Sequence, residues 1–154
     1  MARVPGSQPL LPSVLNRLMD PTGVKRMREL KEYIRRDLED LLNTRWRCVS
    51  WPRNLDELDV SLVNYGIPDF TGANLGSPEN QEEFRRVVEQ VIRNFEPRFK
   101  SVTVTLLRNP EALDRTLRFR IEATLHTEPA PEPVVFDSAL EPLTASFQVK
   151  EGGR

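Results

Sequence analysis

The stretch NFEPRFKSVTV, Asn94 to Val104, changes its period in the middle. Before it, Phe84, Val87, Val88, Val91, Ile92 and Phe95 recur at spacings of three and four, which is one face of a helix. After it, Val102, Val104 and Leu106 alternate with Ser101, Thr103 and Thr105, which is the period of a half-buried strand. Pro97 has no N–H for a helical ladder and biases Glu96 out of helical backbone, so the helix stops there. A proline alone explains the stop. It does not require Glu96 and Arg98, opposite charges, on its two sides.

Working back, Ser77 is a good N-cap and Pro78 suits the first helical position. Glu79, Glu82 and Glu83 complement the dipole at that end. Working forward, NPEALD makes a turn and the next segment alternates strictly. Leu117, Phe119, Ile121, Ala123 and Leu125 face one way; Arg118, Arg120, Glu122, Thr124 and His126 face the other. EPAPEP reads as a rigid extended linker. VVFDSAL and LTASFQV are closing strands, with Leu143, Ala145, Phe147 and Val149 sharing a face of the last.

The strongest helical pattern lies earlier. Met27, Leu30, Ile34, Leu38, Leu41 and Leu42 form its apolar stripe, and pairs such as Glu32 with Arg36 sit four apart on the charged side. Between the helices, residues 45–76 make a long connection. A short helix is expected there, with Leu55, Leu58 and Leu62 on one side and Gly66 as its stop. Ile67 and Phe70 are apolar anchors in the loop that follows. Near the start, Leu11, Val14, Leu15, Leu18 and Met19 fall on one side of a short helix ended by Asp20-Pro21. Periodicity favours a core-covering helix, with a docking segment for a partner groove as the alternative. Residues 1–9 and 151–154 read as flexible tails around one domain at 10–150. Helices first and an antiparallel sheet after them, with one apolar face, specify an α+β domain: N-terminal helices packed on one face of a small C-terminal sheet. No internal repeat stands out.

Composition narrows the function. The 154 residues carry a formal net charge of -1, which gives no bulk attraction to nucleic acid or acidic membranes. With Cys48 the only cysteine and His126 the only histidine, thiol and histidine metal clusters are out. His126 belongs to the polar face of its strand, and Cys48 reads as a half-buried structural residue. Arg45, Arg47 and Arg53 around Trp46 and Trp51 could stack on nucleobases, but a solvated helix end is the better reading. No phosphate loop appears. Glu96 beside Arg98 would stay ionised, poor for a general acid, and Asp69 has no implicated second carboxylate. No cofactor, small-molecule substrate or membrane insertion is expected. The edges of the sheet offer backbone groups to which another chain could add a strand.

Several segments together carry a resemblance: LLPSVLNRLMD at 10–20, IRRDLEDLLNTR at 34–45, LVNYGIPDFTG at 62–72, IRNFEPRFKSVTV at 92–104, LRFRIEATL at 117–125 and PEPVVFDSAL at 131–140. The chain resembles the TssE family of type VI secretion baseplate subunits. These are related to the small wedge protein of contractile-phage baseplates and are often labelled lysozyme-like. The resemblance implies a non-enzymatic structural subunit that links wedge proteins to the first layer of the contractile sheath by strand sharing. It implies a cytoplasmic location, in a baseplate docked at the inner membrane. The family's Glu-Pro-Arg motif falls on Glu96, Pro97 and Arg98, which are then expected to fix the junction and meet partner charges. Its loop motif falls on 65–70, with Ile67 where leucine is common, and makes Tyr65, Pro68, Asp69 and Phe70 expected partner contacts. Leu11, Val14, Leu15 and Leu18 become a wedge-docking face. The alternatives are an anti-adaptor-like regulatory binding protein on the same fold and, more remotely, a murein hydrolase.

Overall fold

A computed structural model describes residues 18, 27–46, 52, 54–55, 57–58, 61–70, 75–109, 114–127, 130–141 and 144–153. The helix expected around 11–19 lies outside these apart from Leu18, and so do Arg47, Cys48, Trp51, Arg53 and Leu143.

Among the described residues, two long α-helices precede a four-stranded sheet. Helix α1 is Met27–Asn43 and helix α2 is Pro78–Phe95. The strands are β1 Phe99–Leu107, β2 Leu117–Leu125, β3 Glu132–Glu141 and β4 Ser146–Glu151. All neighbours are antiparallel and the spatial order is the chain order, so β1 and β4 are the edges. This is the expected α+β arrangement. Helix α1 packs on β4 and α2 on β1, so each helix rides over one edge of the same sheet face.

The apolar periods drive this. Leu30, Ile34, Leu38, Leu41 and Leu42 of α1 and Phe84, Val88, Val91 and Ile92 of α2 are buried. They meet Phe119, Ile121, Phe136, Leu140 and Phe147 from the sheet. Each such side chain contributes roughly 1.5–3 kcal/mol by leaving water. Burial along β2 alternates without a break, as its sequence does, and His126 just beyond it is exposed. Helix α2 starts where expected: the Ser77 hydroxyl accepts the Asn80 N–H at 3.2 Å and Pro78 follows.

Some expectations need correction. Met27 is exposed at the first turn of α1. Among the described residues of 55–66 the helical ones are 3-10, at 57–58 and at Leu62–Asn64, rather than α-helical, and Leu62 is 87% exposed. Its C-cap is Tyr65, not Gly66. Gly66 has another task. With φ at +108° its backbone lies against α1's end, and a Cβ there would sit 2.4 Å from the Thr44 carbonyl oxygen. That close approach lets Ile67 N–H donate to Thr44 O at 2.9 Å and Trp46 N–H donate to Ile67 O at 3.1 Å. Ile67 and Phe70 are buried as loop anchors. The last strand begins after Ala145, which turns the chain with φ at +51°. It also runs into the segment expected to be a tail: Glu151 pairs with Phe136, and Gly152 N–H donates to Val135 O at 2.9 Å.

Candidate functional site

Glu96, Pro97 and Arg98 form the corner between α2 and β1. Glu96 caps α2, donating its N–H to Ile92 O at 2.9 Å, and its carbonyl accepts Phe99 N–H at 3.2 Å to close a tight turn. The turn leaves Pro97 exposed at its tip. Arg98 is tied to β2's end, since its carbonyl accepts His126 N–H at 3.0 Å.

The side chains fold inward. Glu96 is only 4% exposed. Its Oε1 accepts Arg98 Nε–H at 2.6 Å and Arg98 backbone N–H at 3.2 Å, and its Oε2 takes Arg98 Nη2. Arg98 Nη2 also donates to Asp37 Oδ2 at 2.7 Å, which reaches across from α1. Burial alone would pull the Arg98 guanidinium down; the bonds and charges of Glu96 and Asp37 outweigh it and hold the group more firmly cationic than usual. Tyr65 lies in the same field. Burial first, then the negative charges of Asp37, Asp40 and Glu96, push its phenol up. Its ring meets Phe95 edge-on, 5.4 Å between centroids. One donor is unspent among the described residues: Arg98 Nη1 is buried with no acceptor there.

The arrangement locks three elements to one another. One guanidinium joins the end of α2, the start of β1 and the middle of α1. It is a fixed corner, with both Glu96 oxygens taken by Arg98. The ion pair is internal rather than a half-exposed local pair, and the surface it presents is the proline turn.

Of the other expected site residues that are described, Tyr65 alone is seen in this cluster. Pro68 is half-buried and Asp69 exposed. Phe70, 5% exposed, is a core residue, 4.9 Å from the Phe84 ring and 6.3 Å from that of Phe147. Arg45 stacks over Phe70, 4.5 Å from its centroid, and donates to Leu42 O at 2.9 Å and to Ala145 O. Burial pulls the Arg45 guanidinium down, with the charge of Asp69 acting against it. This arginine is therefore engaged inside the fold rather than presented to a base. Leu18 is 75% exposed, and Leu11, Val14 and Leu15 lie outside the described residues. Among the described residues, no group of three or more His, Cys, Asp or Glu is placed to hold a metal ion. No described helix is long and apolar enough to cross a membrane.

Two features escape a reading of single elements. Asp37 falls on the charged side of α1, where the helical period gives it no distinction from Asp40 or Glu39. The second is a spacing, Glu-x-x-Arg-Arg-x-x-Glu, which runs from Glu32 to Glu39 in α1 and again from Glu82 to Glu89 in α2. In both helices the first arginine of the pair reaches a sheet edge. Arg35 donates to Val149 O at 3.0 Å on β4, and Arg85 to Val104 O at 2.9 Å on β1.

Comparison with known proteins agrees with this fold. No curated protein matches the chain. Among solved structures, a chain of "The baseplate complex from the type VI secretion system" superposes with a TM-score of 0.51 at 19% identity. The match covers 74% of this chain and 96% of that one, a likeness of fold. The family model of baseplate wedge protein gp25 matches residues 28–130, more than half of the chain, including α1, α2, the Glu96-Pro97-Arg98 corner and β2. The chain therefore belongs to the gp25 baseplate wedge protein family.

Proposed function

We propose that this protein is a non-enzymatic structural subunit of a type VI secretion baseplate, joining wedge proteins on one surface to the first layer of the contractile sheath on another. Membership of a baseplate wedge family carries the reading, and the shared fold with a chain of a type VI baseplate complex supports it. The chemistry at the corner is consistent with a scaffold: Glu96 and Asp37 are both engaged by Arg98. In this reading the protein works in the cytoplasm, in a baseplate docked at the inner membrane. It takes other baseplate proteins and sheath subunits as partners. Glu96 and Arg98 act from inside, setting the angle of α2 to β1 and so the position of the exposed Pro97 turn at an interface. The segment carrying Leu11, Val14, Leu15 and Leu18 docks on a wedge protein, and an edge of the sheet shares strands with the sheath.

The test is co-purification from native cells with a tag placed after Gly153, the eluate being assayed in parallel for murein hydrolysis. Wedge and sheath subunits are expected, without hydrolysis. Recovery of a lone protease adaptor, or hydrolysis that tracks the tagged chain, would overturn the assignment.

A further inference from the structure

Several backbone groups along the sheet edges are met by helix side chains. Asn43 imitates a neighbouring strand for β4: its Nδ2 donates to Phe147 O at 2.9 Å and its Oδ1 accepts Phe147 N–H at 2.8 Å. On β1, Glu89 Oε2 accepts Val104 N–H at 3.2 Å. At the 3-10 turn Leu62–Asn64 the opposite holds, and apolar side chains are left in water. Leu62 is 87% exposed and Val63 beside it 48%. A single exposed leucine is ordinary, so the question is how this pair is held.

It is held rigidly. Ser61 Oγ accepts Val63 N–H at 3.3 Å and donates to Leu58 O at 2.9 Å. Asn64 N–H donates to Ser61 O at 3.0 Å, and Tyr65 N–H to Leu62 O at 3.3 Å. Directly after the turn, Tyr65 packs on Phe95, Gly66 seats against Thr44 and Ile67 is buried. The two exposed side chains therefore ride on a closed turn fastened to the core. Such a mount removes much of the ordering cost that binding otherwise carries.

Tyr65 also fixes where the turn stands. Its ring lies on Phe95 of α2, and its phenol lies in the field of Asp37 and Asp40 of α1 and of the Glu96–Arg98 pair. The Leu62–Val63 turn is thus placed at the seam between the two helices, next to the Glu96–Pro97–Arg98 corner. Its surroundings are acidic. Asp40 and Glu57 are exposed. From Asn54 to Gly76 the sequence carries Asp56, Glu57, Asp59 and Asp69 and no lysine or arginine. Arg36 and Arg93, exposed on the two helices, are held by Glu32 at 3.1 Å and Glu89 at 2.9 Å. A chain with a formal charge of only -1 gathers negative charge around its exposed apolar turn.

We propose that Leu62 and Val63 are a docking knob of this subunit, and that their occupant is an apolar pocket rimmed by lysine or arginine on another baseplate protein. The inference rests on the baseplate reading above and adds a surface to it. The aliphatic side chains supply affinity by leaving water. The acidic rim selects the partner and speeds its approach, since rim charges act on association rate and salt dependence. A second copy of this chain is disfavoured by the same rim, because two such turns would bring like charges together.

The test uses the full tagged chain in native cells, as wild type and with two paired substitutions: Leu62→Ser with Val63→Ser, and Asp40→Lys with Glu57→Lys. Wild type is expected to recover baseplate proteins. The serine pair is expected to lose one of them by about tenfold or more, the effect of removing an interface anchor. Its urea midpoint should stay at the wild-type value, because both side chains stand in solvent. The lost protein, once purified, should associate with wild type more slowly as salt is raised. The lysine pair should associate more slowly at low salt and with a flatter salt dependence. Undiminished recovery with the serine pair, beside a wild type that recovers baseplate proteins, overturns the knob and leaves the baseplate reading standing. A wild type that recovers no baseplate protein overturns that reading and the knob with it. A fall in the urea midpoint of the serine pair would mean that the turn is covered by this chain's own residues. Concentration-dependent dimerisation of wild type, abolished by the serine pair, would mean that a second copy covers it. Either result overturns the proposal. Unchanged association and salt dependence with the lysine pair would overturn the basic rim assigned to the partner.

Discussion

Arg98 and Arg85 are each held by two carboxylates, yet they do different work. The partners of Arg98 come from different elements, Glu96 beside it at the corner and Asp37 from α1. The partners of Arg85 are Glu82 and Glu89, three and four residues away on the same helix. A guanidinium between distant elements holds a fold together. One between neighbours on a helix adds little to the fold and leaves its remaining edge free to reach elsewhere, here to β1. The sequence separation of the partners, more than the number of ion pairs, decides which role an arginine takes.

The comparison is broken most directly at the corner. Glu96→Ala would leave the Arg98 charge buried with only Asp37, and removing one partner of a buried pair costs about 3–5 kcal/mol. Urea unfolding of Glu96→Ala should show that loss, with an unchanged m-value. The double substitution Glu96→Gln with Arg98→Met should recover much of it, because the buried charge has gone too. If Glu96→Ala unfolds at the wild-type urea concentration, the corner is not held by this pair. Glu82→Ala on α2 removes an exposed partner and should move the urea midpoint far less, and less still in salt.

Next in size is Gly66→Ala. Alanine is strained at the observed φ and its Cβ would meet the Thr44 carbonyl, so a loss of about 1–3 kcal/mol is expected. Gly153→Ala, with open space around it, should fall within about 0.5 kcal/mol of wild type. Equal effects at the two glycines would mean that the loop does not depend on its seat against α1.

Asn43→Ala addresses the β4 edge. It unpairs both backbone groups of Phe147, and a cost of about 1–3 kcal/mol is expected. Thermal unfolding measures it, and a rise in amide exchange at Phe147 shows where the loss falls. No change at Phe147 would make the amide a surface accident.

What the sequence made legible follows from how local each cause is. The start of α2 at Ser77-Pro78, its stop at Pro97 and the alternation of β2 each depend on residues a few positions apart, and all were visible. Ile67 and Phe70 were visible as anchors because apolar residues in a polar loop need a core to enter. The Glu96–Arg98 pair was visible, but its burial was not. That depends on Asp37, sixty-one residues from Arg98, on a helix face that reads as solvated. Asn43 was hidden for the same reason: a polar residue at a helix end has many ordinary uses, and only the register of β4 makes this one a strand mimic. Leu55, Leu58 and Leu62 keep helical spacing, but the described residues there form only short 3-10 turns, which leave Leu62 in solvent.

The smallest expected effect is in acid. Glu89 is partly buried, which raises its carboxyl, but the Val104 N–H, the Arg85 guanidinium and the Arg93 charge together hold it below the ordinary carboxylate value. In the unfolded chain a glutamate titrates near its ordinary pKa of about 4.3. The folded form therefore binds fewer protons in the window below that value, and stability is lost as pH falls through the lowered folded pKa. Glu89→Gln has no such charge to lose. Its unfolding midpoint should start lower than wild type at neutral pH and converge with it as the pH drops below about 4. Glu82, whose carboxyl is lowered chiefly by its hydrogen bond to Arg85, contributes an acid-sensitive share of its own but touches no strand. Glu82→Gln should therefore leave the pH dependence of amide exchange at Val104 intact, while Glu89→Gln flattens it. If both flatten it alike, Arg85 and its two carboxylates act on the β1 edge as one unit, and the distinction between holding the helix and holding the strand disappears.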